Sequence, residues 1–312
     1  MRELMANSIK SKLLMGYHTP VLLKECIEGL NIQPSGNYVD LTFGGGGHAA
    51  LILEHLHDGH LFAFDQDPDA AQNAFDDPRF TLIPQNFKYL KNFLNFYKAT
   101  PVDGILADLG VSSHQFDSAE RGFSIRFDGP LDLRMDASKG QSAADLVNTA
   151  DFANLARIFR MYGELNNPGK TAKAIINARE KQAITTTQGL KSVLKSCATK
   201  GKENKYFAQV FQALRIEVNA ELEALEAMLK QSLEVLKPGG RLVVMSYHSL
   251  EDRLVKNFIK SGNFVGKVEK DFFGKANLPF RRISRKPIIA TIEEVEKNPR
   301  ARSAKLRIAE KI

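Results

Sequence analysis

Residues 38–69 read Tyr38-Val-Asp40-Leu-Thr-Phe-Gly44-Gly-Gly-Gly-His48-Ala-Ala-Leu-Ile-Leu-Glu-His-Leu-His-Asp-Gly-His60-Leu-Phe-Ala-Phe-Asp65-Gln-Asp-Pro-Asp69. An apolar run ends in the four glycines Gly44 to Gly47, an apolar helical run follows from His48 to Leu56, and a second strand, His60 to Phe64, stops at Asp65. A strand, a glycine loop, a helix, a strand and an acid in this order form the unit that seats an adenosine-containing cofactor on the end of a parallel sheet. Asp65 lies 19 residues beyond Gly46, at the strand tip where a carboxylate accepts ribose hydroxyl protons. Gly44-x-Gly46-x-x-Ala49 also fits the dinucleotide pattern, which keeps a nicotinamide enzyme open. Asp40 tilts the choice: a buried carboxylate four residues before Gly44 repels a pyrophosphate and suits the ammonium of S-adenosylmethionine (AdoMet).

Outward from this unit the chain alternates. Asp67 with Pro68 opens a helix, Phe80 to Ile83 reads as a third strand, Lys88 to Tyr97 as a helix, and Val102 to Asp108 as a fourth strand. Arg241 to His248 is the next strong strand, behind a helix from about Asn219 to Leu236 and a Pro238-Gly239-Gly240 stop. The intervening stretch far exceeds a single crossover, and its apolar spacing predicts helices after Ser142, over Asp151–Tyr162, Pro168–Lys181 and Gln188–Ala198. A helix at Glu251–Lys260 and strands at Ile288–Ile292 and Ala304–Ile308 complete a seven-stranded, doubly wound α/β sheet with an inserted helical domain.

The 312 residues carry a net charge of +7, unevenly placed. Residues 170–205 hold nine Lys/Arg against two Glu, and residues 281–312 hold ten against four, so the rest of the chain is mildly acidic. Two basic blocks on an acidic body suggest a polyanionic partner; a solvated helix face is the plainer reading of such a run. Hydrophobic content of 43% with 25% charged residues is that of a soluble globular protein. No apolar run reaches the roughly 20 residues that cross a bilayer, so no membrane association is expected. Cys26 and Cys197 have no metal-ligand spacing and read as reduced thiols of a cytoplasmic protein. His55 and His57 point about 200° apart on a helix, so the histidines here make no shared metal site.

Asp108 ends the fourth strand, at the edge where open α/β sheets bind ligands. Methyltransferases acting on amino nitrogens of bases place an acidic or amide residue there, before a Pro-Pro-aromatic platform. Here Leu-Gly-Val-Ser follows, so Asp108 has two candidate duties, accepting a hydrogen bond from the amine and binding AdoMet. Phe116, Phe123, Phe127 and Tyr247 are candidate aromatics for stacking a base. Ser246-Tyr247-His248-Ser249 follows the fifth strand, and His248 reads first as a turn cap.

Longer motifs make the sequence specific. Tyr17-His-Thr-Pro-Val-Leu-Leu23, Asp40–His48, Asp108-Leu-Gly-Val-Ser-Ser113, Asp128–Asp136, Phe211-Gln-Ala-Leu-Arg215, His248-Ser-Leu-Glu-Asp-Arg253 and Asn298-Pro-Arg-Ala-Arg-Ser303 span nearly the whole chain. They resemble the bacterial 16S rRNA (cytosine-N4)-methyltransferases, the small-subunit rRNA methyltransferase H family. The resemblance implies a class I AdoMet-dependent methyltransferase fold, Rossmann-like, in two parts, 1–112 and 215–312. Residues 113–214 are then an inserted helical substrate-recognition domain. It implies AdoMet held by Gly46, Gly47, His48, Asp65, Phe87, Asp108 and Gln115, and a product methylated on N4 of a cytidine in the decoding region of 16S rRNA. Lys195, Lys200, Lys202, His248, Arg300 and Arg302 are the candidate contacts to rRNA in the small ribosomal subunit. A homodimer is left open. A nicotinamide dehydrogenase and a non-enzymatic RNA-binding assembly factor are the competing readings; the basic insertion opposes the first, the intact glycine loop and Asp65 the second.

Overall fold

The protein is described by a computed structural model covering residues 20–312, so Tyr17, His18 and Thr19 of the first motif lie outside the described residues. The strands are β1 (Asn37–Asp40), β2 (His60–Phe64), β3 (Phe80–Ile83), β4 (Val102–Asp108), β5 (Leu236–Ser246), β6 (Phe280–Arg282) and β7 (Lys305–Lys311). They form one seven-stranded sheet in the order β3-β2-β1-β4-β5-β7-β6. The pairings among β1 to β5 are parallel, and β7 runs antiparallel to both β5 and β6. This is a doubly wound α/β sheet of seven strands, as the sequence predicts.

The helices are α1 (Leu23–Leu30), α2 (Gly47–His55), α3 (Leu90–Phe96), α4 (Ser113–Asp117), α5 (Ala143–Thr149), α6 (Phe152–Met161), α7 (Pro168–Arg179), α8 (Thr187–Leu194), α9 (Glu203–Asn219), α10 (Glu221–Val235), α11 (Ser249–Ser261) and α12 (Ile292–Lys297). The central strands are largely apolar because both faces of the sheet are covered, and each face feeds its own core. Val39, Phe62, Phe64, Ile105, Leu242 and Val244 pack with Leu90, Leu94, Leu225, Met228, Leu229, Val255 and Phe258 of α3, α10 and α11. Their neighbours Tyr38, Leu61, Ala63, Leu106, Val243 and Met245 pack with Leu30, Cys26, Ile52 and Leu53 of α1 and α2. The period-2 alternation of side chains thus sorts one continuous apolar run onto two helix layers.

By its contacts the chain divides into residues 1–110 with 223–312, which contain the sheet, and residues 111–222. The second unit is helical, with a core that includes Leu146, Leu155, Phe159, Ile175, Leu190, Val210 and Leu214. Polar ties close it: Asn219 Nδ2 donates to the Leu133 carbonyl while its Oδ1 accepts from Met135 N–H, and Arg179 donates to the carbonyls of Val147 and Ala150. Ser142 caps α5 with a reciprocal bond from Asp145, as its place before Ala143 predicts. The expected boundary at 214/215 falls inside α9, which is continuous to Asn219. The chain turns only at Ala220, held at φ +48°.

The C-terminal strands differ from the sequence expectation. Ile288–Ile292 is no strand: Ile288 exchanges two backbone bonds with Leu306, and beyond it Thr291 already caps α12 by accepting from Glu294 N–H. Pro287 lacks an N–H to extend the pairing, and Ile289 and Ile292 are exposed. The sixth strand is Phe280–Arg282, too short and too basic to show as an apolar run. Pro238-Gly239-Gly240 is no stop either. Val102 pairs with Leu236 and Gly104 with Arg241, so residues 237–240 bulge from a strand that begins at Leu236. Among the described residues no helix is long and apolar enough to cross a membrane.

Candidate cofactor site

The sheet order reverses between β1 and β4, and open α/β sheets bind ligands in the crevice at such a switch point. Asp40 and Asp108 end these two strands, and Asp65 follows β2 on the other side of β1. Three carboxylates therefore stand on adjacent strands at one edge.

The loop between β1 and α2 is a tight turn, with Gly46 N–H bonded to the Phe43 carbonyl at 2.7 Å. Gly46 sits at φ +77°, and a Cβ there would come within 2.9 Å of the Phe75 ring. A Cβ on Gly47 would lie 2.3 Å from Pro20 Cγ. These two glycines are demanded by the protein's own packing, Gly47 by the segment that carries the first motif. Asp65 holds the loop from the other side: its Oδ2 accepts from Gly44 N–H at 2.7 Å and its Oδ1 from Asp67 N–H at 2.8 Å. Asn73 Nδ2 donates to the Gly44 carbonyl at 2.9 Å. Asn86 Nδ2 donates to Gln66 Oε1 at 2.7 Å, which brings the half-buried Phe87 to the same edge as Asp65.

Asp40 is 1% exposed. Its Oδ1 accepts from Thr42 N–H at 3.0 Å, and its Oδ2 has no partner among the described residues. Burial, reinforced by the charge of Asp65, pushes this carboxyl from 3.8 up to about 7. Thr42 links the two strand ends, because its hydroxyl accepts from Asp108 N–H at 2.7 Å. The Asp108 carboxyl is raised to about 7, by burial first and by Asp40 and Glu251 after it, against the lowering effect of a hydrogen bond from Tyr247. That bond runs from the Tyr247 hydroxyl to Asp108 Oδ1 at 2.8 Å. Burial raises the Tyr247 hydroxyl well above its ordinary 10, so it stays a donor.

His48 is buried, and burial lowers its pKa to about 4. The ring is neutral, its Nε2 3.3 Å from the Val21 carbonyl and its Nδ1 3.8 Å from Asp108 Oδ2. A carbonyl only accepts, so Nε2 carries the proton and Nδ1 turns a lone pair to Asp108. The edge is therefore acidic, buried on its Asp40 side, and has a carboxylate oxygen without a partner among the described residues. A buried carboxylate oxygen without a partner is unfavourable, and a ligand that carries an ammonium and a sulfonium corrects it. The residues present fit AdoMet.

The remaining expected residues are spread more widely. Gln115 belongs to the second unit, where its side chain closes a capping box with Ser112. Lys195, Lys200 and Lys202 are exposed in that unit, around the turn before α9. Arg300 and Arg302 lie on a 3₁₀ turn over Pro299–Ser303, Arg302 exposed and Arg300 half-buried. His248 is the N-cap of α11: its Nδ1 accepts from Glu251 N–H, its Nε2 lies 3.0 Å from Glu251 Oε1, and its side chain is 9% exposed. Of the candidate stacking aromatics, Phe123 is buried, Phe127 is exposed, Phe116 is half-buried, and Tyr247 is joined to Asp108. Thr42 carried no expectation, although an Asp two residues before a Thr is the pattern of a side chain accepting from backbone two positions on. The Tyr247–Asp108 bond spans 139 positions, which no local pattern reveals.

A model of the MraW methylase family matches residues 15–312. A Parabacteroides distasonis protein named ribosomal RNA small subunit methyltransferase H is 58% identical over 298 residues, covering 95% of this chain and 98% of its own. A Cytophaga hutchinsonii protein of the same name is 57% identical over 297 residues, covering 95% and 99%. Among solved structures, an rRNA methylase from Streptococcus thermophilus aligns with a TM-score of 0.42 at 12% identity, covering 93% of each chain. With its family model matched from residue 15 to the last residue and relatives above half identity over nearly full length, the chain belongs to the MraW methylase family.

Proposed function

We propose that the protein is a cytoplasmic AdoMet-dependent methyltransferase that methylates N4 of a cytidine in the decoding region of 16S rRNA in the small ribosomal subunit. The observation that carries this reading is the acidic switch-point edge with an Asp40 oxygen unpartnered among the described residues, in a chain of the MraW methylase family. A nicotinamide dinucleotide would bring its pyrophosphate to the same carboxylates, which disfavours the dehydrogenase reading.

AdoMet supplies an electrophilic methyl on a sulfonium. Asp40 would take its ammonium and Asp65 its ribose hydroxyls, and Phe87 would flank the adenine. The loop residues Gly46, Gly47 and His48 would form the floor, and Gln115 is the remaining member of the proposed set. Asp108 ionises when a cation approaches, because an opposite charge lowers a carboxyl pKa. Held by Tyr247 and Thr42, it would accept a hydrogen bond from the exocyclic amine of a bound cytosine and so orient the nitrogen lone pair. That amine is conjugated with its ring and is a poor nucleophile, so the gain comes from holding nitrogen and carbon at roughly 3 Å. A paired cytosine hides the amine, so the base enters flipped or unpaired. Lys195, Lys200 and Lys202 contact the phosphates of the RNA, with Arg300 and Arg302. A homodimer is an assembly that sedimentation tests.

The deciding experiment is methyl transfer from labelled AdoMet to assembled small subunits, followed by mass spectrometry of nucleosides. N4-methylcytidine is expected; a methyl group on carbon 5 or on a 2′-oxygen refutes the assignment.

A further inference from the structure

Phe272 and Phe273 are 97% and 91% exposed, side by side, their rings 5.6 Å apart at 89°. Contiguous exposed apolar surface marks an interaction site more often than a single exposed side chain does. Here the pair is displayed by a built tip. Asp271 accepts from Phe273 N–H at 2.9 Å and from Lys275 N–H at 2.8 Å, and Gly274 turns the chain at φ +81°. Lys270 bridges Ala276 below the tip.

The root is equally fixed. The segment leaves α11 at Gly262 and returns into β6 at Phe280. Phe264 stacks on the core residue Phe258 at 5.2 Å, and Asn257 Nδ2 donates to the Phe264 carbonyl at 2.8 Å. Residues 263–279 therefore stand on the sheet unit as a finger whose two legs are α11 and β6. Where α11 and the end of β6 meet β7 and the segment 284–287 lies a cleft of about 400 Å³ lined by Lys256, Lys260, Arg282, Arg285, Lys286 and Arg307. From residue 263 to residue 286 there are seven Lys/Arg and two acidic residues.

We propose that this finger and the basic cleft at its root form a docking surface for single-stranded RNA, the phenylalanines stacking on unpaired bases and the cleft holding the backbone. The proposal rests on the rRNA reading above and adds a surface which that reading does not use. Aromatic platforms beside a positive groove are the general solution for holding a flexible polyanion, because every base offers a π-face and every nucleotide a phosphate. The charge is gathered in a cleft, which suits a thread; a membrane would call for a basic plane around the aromatics.

The chain has no tryptophan, so Phe273→Trp places a single fluorophore at the tip. Its emission should be quenched by a single-stranded RNA oligonucleotide and left unchanged by anionic phosphatidylglycerol vesicles. In parallel, Phe272→Ala with Phe273→Ala should weaken binding to small subunits by about ten-fold or more, as lost base–aromatic stacking does, with AdoMet affinity and sedimentation unchanged. Unquenched emission while RNA binds, or wild-type subunit affinity in the double variant, overturns the proposal. Quenching by vesicles instead, or loss of a dimer in the double variant, reassigns the finger to a membrane or a second copy and overturns it too. If the wild-type protein binds neither RNA nor subunits, the rRNA reading itself falls.

Discussion

Asp40→Asn is the most informative single change, because it separates what the acidic edge does for the fold from what it does for the ligand. The Asp40 carboxyl binds its proton more tightly in the native state, with a pKa of about 7, than in the unfolded chain at 3.8. Stability therefore falls as pH rises between those values, and the penalty is complete above pH 7. At about 1.4 kcal/mol per unit, the three-unit difference amounts to about 4 kcal/mol at pH 8 and only about 1.5 kcal/mol at pH 5. Asparagine is neutral at both. Its Oδ1 keeps the bond from Thr42 N–H, while its amide meets the space where Oδ2 had no partner among the described residues. An unpaired buried donor costs about 1–3 kcal/mol.

The ligand-free variant should therefore be more stable than wild type by about 1–3 kcal/mol at pH 8, several °C in Tm, and no more stable at pH 5. AdoMet should act in the opposite sense. A ligand at 100 times its Kd stabilises by about 2.7 kcal/mol, and loss of a charged partner worth about 1.5–3 kcal/mol removes most of that. Calorimetric melting at the two pH values, with and without AdoMet, reads all four quantities. A variant destabilised equally at pH 5 and pH 8 would show that Asp40 carries no buried charge. An undiminished AdoMet shift would remove it from the ammonium site.

Three further outcomes follow from the geometry. Tyr247→Phe deletes the hydrogen bond that lowers the Asp108 pKa, so the alkaline-rising limb of the methylation rate should move to higher pH, with turnover recovering as pH rises; an unmoved limb means that Tyr247 only packs. Asp65→Ala loses two backbone amide bonds as well as the ribose contact, so AdoMet affinity should drop ten-fold or more and Tm should fall with it, at about 1.5–3 kcal/mol per charged hydrogen bond; an unchanged Kd by titration calorimetry excludes it from the site. Replacing Lys195, Lys200 and Lys202 together with Gln should flatten the salt dependence of subunit binding, since each phosphate contact releases counterions. An identical slope in the variant makes that block a solvated face.

The parts of the fold that sequence reading reaches are those where one physical signal dominates. β2 and β4 begin and end at the expected residues because a mostly buried apolar run is bounded by polar ends or a proline: Phe64 is buried and Asp65 is not, and Val102 follows a proline; the half-buried edge strand β3 also keeps its expected bounds. The boundary inside α9 is missed for the opposite reason. Tyr206, Phe207, Val210, Phe211 and Leu214 give it an apolar face, yet the break that matters is a single left-handed alanine, Ala220, which no propensity marks. β6 is a strand because the β7 edge offers it partners, not because Phe-Arg-Arg prefers to be one.

The candidate site divides along the same line. Asp40, Asp65 and Asp108 are legible because strand ends and the spacing from the glycine loop place acids at one edge. What the spacing does not carry is how each acid is used. Asp65 turns both oxygens to backbone amides of its own loops, so the ribose acceptor is also the clamp of the glycine turn. Asp108 receives Tyr247 from another strand and Thr42 from the switch-point loop, contacts made by the fold alone. Three carboxylates crowded on adjacent strand ends, two of them with pKa values raised to about 7, oppose folding more than they favour it. An arrangement that local preferences would not select is tolerated where a bound cation reverses its sign. The frustration at this edge is therefore the strongest physical argument that the edge binds one.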